Sequence, residues 1–440
     1  MRKIFLITLL PAICMAQKNY PALLDEYVQA HSAIKGFSGT VLVMQHNKPL
    51  LKKAYGLADR EWSVPNTIDT KYRIGSITKQ FTAASILQLI EQGKLTLTDK
   101  LSRFLPDFPK GDSVTIQMLL THTSGIASYT DQKEFMDVAT QSWSKDSIIS
   151  YIKSKPYNFS PGAKFLYNNS GFFLLGYIIE KTSAQTYGDY LRSHIFNKLG
   201  MNNTGVDNLD TILSKRARGY SKYDRQYVNA DFISLEWPFS AGALYSTVED
   251  MYKWDRALYG TSILTETSKH KMFLPGKGKY GYGLFIDSFD NHLRIWHRGS
   301  ISGFLGSISR YINDDLCIIV LSNDEYDAEK LSNGLADILF DEPYEVPYTH
   351  KNITLDPSLL DRYVGKYKAF LTVEVIKKNG KLYRHRDGTP DIELKADSET
   401  ILYYDDDSDR RLEFELDGAG KVTKIWFVNN GQRGEMQRVQ

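Results

Sequence analysis

Hydrophobic and polar positions follow two different periods along this chain, and the change of period marks the predicted elements. Apolar residues recur every three to four positions in three segments, which is the pattern of helices packed on one face. Helices are predicted at Ser76 to about Gln92, at about Asn169 to Lys181, and around Thr247 to Tyr259. Alternating or continuous apolar runs predict strands at Gly39–Met44, Lys48–Ala54, Leu293–His297, Gly306–Tyr311 and Leu316–Leu321.

A stretch without periodicity separates these elements from the C-terminal segment. Residues 342–354 contain Pro343 and Pro347, so the predicted domains are residues 17–345 and 346–440. The second domain has short alternating segments that are broken by Asn-Gly, Asp-Gly and acidic turns. Its predicted strands are Leu371–Lys377, Lys381–His385, Thr400–Tyr404, Arg411–Glu415 and Val422–Val428. This spacing predicts a small antiparallel barrel or sandwich.

The first 16 residues have the form of a secretory signal peptide. Arg2 and Lys3 precede about a dozen apolar residues that end at Ala16, where cleavage is expected. The segment is shorter than the roughly 20 residues of a membrane-spanning helix, and no later segment is long enough to span. A lipid anchor on Cys14 is not expected, because Ile13 stands where a small residue is usually required. The sequence therefore predicts a periplasmic or secreted protein.

The composition disfavours two classes of binding partner, nucleic acids and anionic membranes. The chain has 54 Lys and Arg against 52 Asp and Glu, a net charge of +2, and two of the positive charges lie in the signal peptide. A neutral mature chain has no electrostatic reason to bind nucleic acid or an anionic membrane surface. After cleavage Cys317 would be the only cysteine, in an apolar strand, so neither a disulfide nor a reactive thiol is expected.

The first candidate chemistry is the Ser-x-x-Lys of Ser76 and Lys79 at the start of a predicted helix. A serine at a helix N-terminus meets unpaired N–H groups, and a lysine three residues later lies on the same face. Partial burial of Lys79 would lower its pKa and allow it to accept a proton. The alternative is a capping serine with an exposed lysine. The same spacing recurs at Ser32/Lys35, Ser142/Lys145, Ser150/Lys153 and Ser268/Lys271, so the spacing alone decides nothing.

Two further motifs favour a catalytic site. Tyr167-Asn168-Asn169 stands directly before a predicted helix, and a tyrosine acts as a base where a cation such as Lys79 stabilises its phenolate. His297-Arg298-Gly299 falls at the end of a predicted strand. Glycine there allows a substrate backbone to approach the strand, and the next N–H can bind an oxyanion.

With these motifs the chain resembles the serine beta-lactamase and D,D-peptidase family, in particular its class C-like branch. The likeness covers about residues 30 to 335. It rests on the segments 39–43, 72–79, 119–126, 161–162, 167–169, 199–201, 241–247, 297–299 and 303–304. It implies an α+β fold, a beta-lactamase/transpeptidase-like antiparallel sheet flanked by helices with a helical subdomain. The segment Tyr363–Tyr367 resembles the lipocalin-like barrel often appended to this family.

The resemblance implies a role for each motif residue. Ser76 would be the acylated nucleophile and Lys79 its hydrogen-bonded partner. Tyr167 would be the general base and then the acid to the leaving group, and Asn169 would bind the substrate amide. The N–H groups of Ser76 and Ser300 would form the oxyanion hole. No metal or other cofactor is implied.

Two positions depart from the lactamase pattern. His297 stands where lactamases usually carry lysine, and neutral histidine is a weaker partner for a carboxylate. Arg298 stands where a threonine is common. It is expected either to anchor a substrate carboxylate by a bidentate pair or to point away, which would leave an esterase-like or D-aminopeptidase-like pocket. Both changes disfavour an efficient lactamase.

Other polar residues near these motifs are given structural roles. His122 is expected to support a loop near the site. His292 and His297 lack neighbouring Asp or Cys ligands, which disfavours a metal. The acidic residues 405–407 predict a solvated turn rather than a calcium site.

The sequence therefore predicts an exported serine hydrolase that forms an acyl-enzyme on Ser76. The expected substrates are amides or esters of small peptides, including peptides that contain D-residues. A beta-lactamase remains an alternative within this class. A non-catalytic sensor of cell-wall fragments is an alternative from another class, and a barrel that carries a hydrophobic ligand is a third. The sequence does not fix the oligomeric state.

Overall fold

The computed structural model describes residues 18–223, 226–369, 371–406, 408–429 and 431–439. The predicted signal peptide, including Cys14, lies outside the described residues. No helix in these ranges is both long and apolar enough to cross a membrane.

A six-stranded antiparallel sheet forms the centre of the larger domain. Its strands are β1 (Gly39–Gln45), β2 (Lys48–Tyr55), β3 (Phe285–Phe289), β4 (His292–Ile301), β5 (Phe304–Tyr311) and β6 (Leu316–Ser322). Their spatial order is β3-β4-β5-β6-β1-β2. The sheet therefore joins the N-terminal hairpin to strands that lie more than 200 residues later in the chain.

Helices cover both faces of this sheet. The principal helices are α1 (Tyr20–Ala30), α2 (Thr78–Glu91), α3 (Asn169–Ser183), α4 (Val248–Ala257) and α5 (Ala328–Leu339). Shorter helices are Ile116–Leu120, Phe135–Val138, Lys145–Lys153, Tyr187–Leu191, Asn197–Leu199, Phe239–Gly242 and Glu266–Met272. Along β1, Val41 and Val43 pack with α1 and α5, whereas Leu42 packs in the cluster that contains α2. Because both faces are buried, β1 and β6 are continuous apolar runs rather than alternating ones.

Short strands tie loops of the helical region together. They pair in small sheets, Leu57–Asp59 with Val64–Pro65, Tyr72–Arg73 with Leu244–Ser246 and Gly205–Val206, and Tyr220–Tyr223 with Gln226–Asn229. The strand Tyr72–Arg73 leads directly into the turn that carries Ser76.

The C-terminal strands form a closed antiparallel barrel, which confirms the barrel prediction over the sandwich. The strands are β7 (Gly365–Lys368), β8 (Thr372–Lys378), β9 (Lys381–His385), β10 (Ile392–Ser398), β11 (Ile401–Tyr404), β12 (Arg411–Leu416), β13 (Val422–Asn429) and β14 (Gln432–Arg438). β7 pairs with β14, so the barrel has no free edge between them. Buried side chains such as Tyr367, Leu402, Phe414 and Ile425 pack together as its core.

The barrel contacts the larger domain through charged residues. Asp409 forms ion pairs with Lys35 and with Lys330 on α5, with Nζ–carboxylate distances of 2.9 and 2.5 Å. Glu345 pairs with Arg411 at the start of β12. These contacts fix the first turn of α5 from the side of the barrel. The domain limits at residues 345 and 346 remain a prediction.

A pair of carboxyl groups near the end of α5 gives a prediction on stability. Asp337 lies beside Asp290 in the turn between β3 and β4, and the buried Oδ2 of Asp290 has no hydrogen-bond donor among the described residues. Burial, and then the hydrogen bond and charge of Asp290, raise the pKa of Asp337 to about 7. The folded protein therefore keeps a proton that the unfolded chain loses above about pH 4, so this contribution to stability is lost as pH rises towards 7.

Asp337→Asn is expected to raise the free energy of unfolding at pH 8 by about 1–2 kcal/mol, because the asparagine donates to Asp290 without a charge. Urea unfolding at pH 8 and pH 4 measures the effect, which should vanish at the lower pH. Asp341→Asn, on an exposed residue that pairs with Lys18 instead, should give no gain at either pH. An equal gain in unfolding free energy for Asp337→Asn at both pH values would show that the effect does not come from the proton that Asp337 keeps beside Asp290.

Candidate active site

Ser76 lies in a single 3-10 turn, Gly75–Ile77, directly before α2. The sequence predicted that the helix begins at Ser76, whereas the α-helix begins at Thr78. Gly75 in this turn has a φ of +51°, in the left-handed region that favours glycine. A Cβ at Gly75 would lie only 2.7 Å from the backbone nitrogen of Ser300. The glycine therefore allows β4 to lie against the turn that carries the serine.

A second glycine completes this close approach. A Cβ at Gly299 would lie 1.9 Å from the carbonyl oxygen of Ile74. Gly75 and Gly299 together bring the backbone of Ser300 beside that of Ser76. This approach agrees with an oxyanion hole made by the N–H groups of these two serines, which remains a prediction.

Gly299→Ala is expected to abolish measurable hydrolase activity and to lower the free energy of unfolding by about 2–3 kcal/mol, because the strand must move away from the serine turn. Thermal unfolding and kcat/KM for an ester substrate measure the two effects. Gly260→Ala is the matched control, since a Cβ there meets no atom within 4 Å. Full activity in Gly299→Ala would show that the close approach is not needed.

Lys79 is fully buried on the first turn of α2, and its Nζ lies within hydrogen-bond distance of three oxygen atoms. Its Nζ lies 3.0 Å from Ser76 Oγ, 2.8 Å from Asn169 Oδ1 and 2.9 Å from the carbonyl oxygen of Ala241. The prediction that Lys79 points into a confined place is confirmed, and the exposed alternative is wrong. Desolvation lowers the pKa of Lys79 well below its usual value, which favours the neutral amine.

The acceptor at Ala241 could not be found from motif chemistry, because it is a backbone carbonyl. The short helix Phe239–Gly242 packs against both α2 and α3, and this packing delivers the carbonyl to Lys79. The only sequence signal for it is the segment 241–247 that contributed to the family resemblance.

Tyr167 and Asn169 approach the lysine from the start of α3. Asn168 caps this helix by accepting from the N–H of Gly171, at 2.7 Å. Asn169 donates through Nδ2 to Thr130 Oγ1, at 3.0 Å, which leaves its Oδ1 directed to Lys79. Thr130 was not identified from the sequence.

The Tyr167 ring lies beside the end of the Lys79 side chain, with Nζ 4.8 Å from the ring centroid. Its hydroxyl is buried and has no hydrogen-bond partner among the described residues. Burial raises the pKa of the Tyr167 phenol above its usual value, although the neighbouring Ser76 hydroxyl and the charge of Arg298 oppose this shift. Tyr167 is therefore a neutral phenol in the resting site.

His122 supports the loop that carries Tyr167, in agreement with its expected structural role. Its Nδ1 accepts from the N–H of Asn168, at 3.1 Å, and its carbonyl accepts from the N–H of Leu166, at 3.0 Å. Its ring lies against Tyr167, with centroids 4.4 Å apart. Burial lowers the pKa of His122 well below its usual value, so the ring is neutral.

His297 is also neutral in this site. Its Nδ1 lies 2.6 Å from the carbonyl oxygen of Arg298, so this nitrogen carries the proton and donates. Its Nε2 then accepts from the hydroxyl of Tyr280, at 3.1 Å. Desolvation, followed by the positive charge of Lys79, lowers the pKa of His297 to about 3. The carbonyl of Arg298 therefore fixes the tautomer of His297, and Tyr280, which no sequence motif revealed, satisfies the other ring nitrogen.

Arg298 lies at the rim of the site, with a side chain that is 71% exposed. Its Nη1 lies 3.7 Å from Oε2 of Glu329 on α5. Whether Arg298 anchors a substrate carboxylate or points away from the pocket remains a prediction. The predicted site residues Ser76, Lys79, Tyr167, Asn169, His297, Gly299 and Ser300 converge beneath it.

In three of the other four Ser-x-x-Lys pairs the lysine forms an ion pair elsewhere. Lys35 pairs with Asp409, Lys145 with Glu180, and Lys153 with Asp107. Within the described residues no group of three or more His, Cys, Asp or Glu side chains is arranged to hold a metal ion. A separate cavity of about 1060 Å³, lined in part by Lys145, Tyr187 and Phe239, contains none of the predicted site residues.

The site combines a serine bonded to a buried lysine, a tyrosine at the start of the neighbouring helix and a glycine-lined strand, and it lies between an antiparallel sheet and a helical region. This combination defines a serine hydrolase of the beta-lactamase/transpeptidase fold. The family model described as Beta-lactamase matches residues 24–340. The chain belongs to this family of serine hydrolases.

Named relatives match most of the chain. "Penicillin-binding protein 4*" of Bacillus subtilis (strain 168) is 31% identical over 402 residues, which are 83% of this chain and 88% of the relative. The octameric penicillin-binding protein homologue of Pyrococcus abyssi is 25% identical, with a TM-score of 0.69 over 94% of this chain and 99% of that one. The D-amino acid amidase of Ochrobactrum anthropi SV3, in its complex with D-phenylalanine, is 25% identical, with a TM-score of 0.63 over 73% of this chain and 97% of that one.

Proposed function

We propose that the protein is an exported hydrolase that forms an acyl-enzyme on Ser76 and cleaves amide or ester bonds of small peptides, including peptides with D-residues. The observation that carries the proposal is the 3.0 Å hydrogen bond between Ser76 Oγ and a fully buried Lys79 with a lowered pKa. A neutral amine beside a hydroxyl can accept its proton at neutral pH. The relatives named penicillin-binding protein and D-amino acid amidase support the substrate class.

Acylation begins with proton transfer from Ser76 Oγ to the neutral Nζ of Lys79. The Oγ bonds to the substrate carbonyl carbon, and the N–H groups of Ser76 and Ser300 bind the oxyanion that develops on the carbonyl oxygen. When the bond to the leaving group breaks, Tyr167 donates its phenolic proton to the departing amine or alkoxide. The resulting phenolate is stabilised by the Lys79 ammonium, whose Nζ lies 4.8 Å from the ring centroid.

Deacylation reverses these proton movements. The Tyr167 phenolate takes a proton from water, and the hydroxide bonds to the acyl carbon. As the ester bond to Ser76 breaks, the Lys79 ammonium returns its proton to Oγ, and the free acid leaves. Tyr167 thus acts first as an acid and then as a base, the reverse of the order that the resemblance implied, because burial keeps its phenol protonated at rest.

Two features disfavour efficient beta-lactamase activity. His297 is neutral and its two nitrogens are engaged, so it offers no positive charge to the carboxylate of a beta-lactam. Arg298, the cation beside it, already has a carboxylate 3.7 Å away. A penicillin is therefore expected to acylate Ser76 slowly and to remain bound, as in a D,D-peptidase-like site.

Mass spectrometry of the intact protein after incubation with a fluorophosphonate and, separately, with benzylpenicillin tests the acyl-enzyme. One adduct per chain is expected with the fluorophosphonate, and peptide mapping should place it on Ser76. Ser150→Ala is the matched control, since Ser150 has the same spacing to Lys153 and should not affect labelling. A lasting penicilloyl adduct supports a peptidase-like site, and rapid release of penicilloate would make the protein a lactamase. No adduct with either reagent would overturn the proposal and favour a non-catalytic binding protein.

Substrate class and export have separate tests. Hydrolysis of N-acetyl-D-alanyl and N-acetyl-L-alanyl esters should show a preference for the D-isomer, and equal rates would remove D-residues from the proposal. Expression with the native N-terminus in a bacterial host should yield a mature chain that begins at Gln17. An unprocessed cytoplasmic chain would contradict export.

A further inference from the structure

Glu329 lies beside the rim of the active site, where no motif predicted a functional residue. It belongs to the first turn of α5, and its side chain is 22% exposed. Its Oε2 lies 3.7 Å from Nη1 of Arg298, two residues before Ser300 on β4. Arg298 is 71% exposed and retains most of its surface for other partners.

Arg298 lies between His297 and Gly299 on β4, where the strand packs against the turn that carries Ser76. Its positive charge acts on the Tyr167 phenol, which is the proposed proton donor to the leaving group. A carboxylate at the leaving-group end of a substrate would therefore be attracted to Arg298. Arg294, the other arginine of β4, is 5% exposed and engaged by Asp287, at 2.9 Å, and by Asn333. Arg298 is thus the exposed cation of this strand among the described residues.

We propose that Glu329 is a specificity-determining residue that competes with substrate carboxylates for Arg298 and so directs the enzyme towards substrates whose leaving group ends in an uncharged amide or ester. The inference rests on the proposed function, whose substrate class it narrows. A substrate carboxylate must displace Glu329 from Arg298 or accept its repulsion, whereas an uncharged end does neither.

Contacts of neighbouring residues hold the backbone of the first turn of α5, which carries Glu329. Asp327 caps α5 by accepting from the N–H of Lys330, at 3.0 Å. Lys330 Nζ pairs with Asp409 of the barrel at 2.5 Å. The first turn of α5 is therefore fixed between the sheet and the barrel. The position of the Glu329 backbone beside Arg298 is therefore set by the fold.

A matched pair of thioesters tests the proposal. Both are N-acetyl-D-alanyl thioesters, one of thioglycolate, which ends in a carboxylate, and one of thioglycolamide, which is uncharged. The readout is the ratio of kcat/KM for the acid to that for the amide. Glu329→Gln is expected to raise this ratio about fivefold, the scale of a partly exposed ion pair, through a lower KM for the acid. Addition of Arg298→Ala to this variant should remove the gain, and Glu325→Gln, on a residue that contacts Ser221, should leave the ratio as in the wild type.

A binding experiment separates this inference from the proposed function. Calorimetry on Ser76→Ala, with and without Glu329→Gln, compares N-acetyl-D-alanyl-D-alanine with its C-terminal amide and needs no turnover. Tighter binding of the acid in the Glu329→Gln background supports the inference even if the wild type hydrolyses neither thioester, a result that would overturn the proposed function alone. An unchanged preference in both experiments, or an equal gain for acid and amide, would overturn the role of Glu329.

Discussion

Ser76→Ala is expected to lower kcat for an N-acetyl-D-alanyl ester by about 10⁶-fold, the scale of removing a nucleophile from a serine hydrolase. The loss is so large because no covalent intermediate can form and water must attack the substrate directly. Steady-state kinetics with the ester measure the rate, and the fluorophosphonate adduct should be absent from the intact mass.

The fold should survive this change, since the hydroxyl contributes one hydrogen bond, from Lys79. Thermal unfolding within a few degrees of the wild type would confirm that the loss is chemical. Ser150→Ala provides the control, because Ser150 is exposed and Lys153 pairs with Asp107 instead. If Ser76→Ala kept a tenth of the wild-type rate, Ser76 would not be the nucleophile.

Lys79→Met is expected to lower kcat/KM for the same ester by about 10⁴-fold, at the upper end of general acid–base contributions. Methionine fills the same buried volume but cannot accept the proton of Ser76 or stabilise the Tyr167 phenolate. Fluorophosphonate labelling should slow by a similar factor, because it depends on the same activated serine. Lys153→Met is the matched control and should keep both rates.

The pH dependence provides a second measurement on Lys79. Because its pKa is lowered by burial, wild-type kcat/KM should fall as the pH drops through that lowered pKa and the amine becomes protonated. The residual activity of Lys79→Met should lack this acid limb. An unchanged acid limb in the variant would assign the titrating group to another residue.

The strands of the barrel show which elements a local sequence pattern can predict and which it cannot. The segments at Lys381–His385 and Val422–Val428 predicted strands that the structure contains, because each has apolar side chains, such as Leu382 and Ile425, that are buried in the barrel core. β14 was missed, since only Met436 is buried along it and the remaining positions are polar or exposed. Its existence follows from pairing with β7 and β13, which is information about neighbours in space rather than about its own residues.

The residues of the active site also fall into those that a sequence motif reveals and those that only the structure reveals. The nucleophile pair and Tyr167 are separated by about 90 residues, yet each could be recognised because reactive side chains occur in short motifs at helix starts. Ala241, Thr130 and Tyr280 have no such motif. They act through a backbone carbonyl or through hydroxyls that any buried segment could supply, and only their placement beside Lys79, Asn169 and His297 gives them a function.

The sequence by itself determined the alternation of strands and helices, the barrel-like C-terminal segment and the identity of the groups that carry the chemistry, because periodicity and short motifs depend on residues close together in the chain. The tertiary structure decided the charge states and the specificity of the site. Burial makes Lys79 a base, keeps Tyr167 and His297 neutral, and brings Glu329 to Arg298. Desolvation and contacts between distant segments are properties of the folded chain, and no local pattern encodes them.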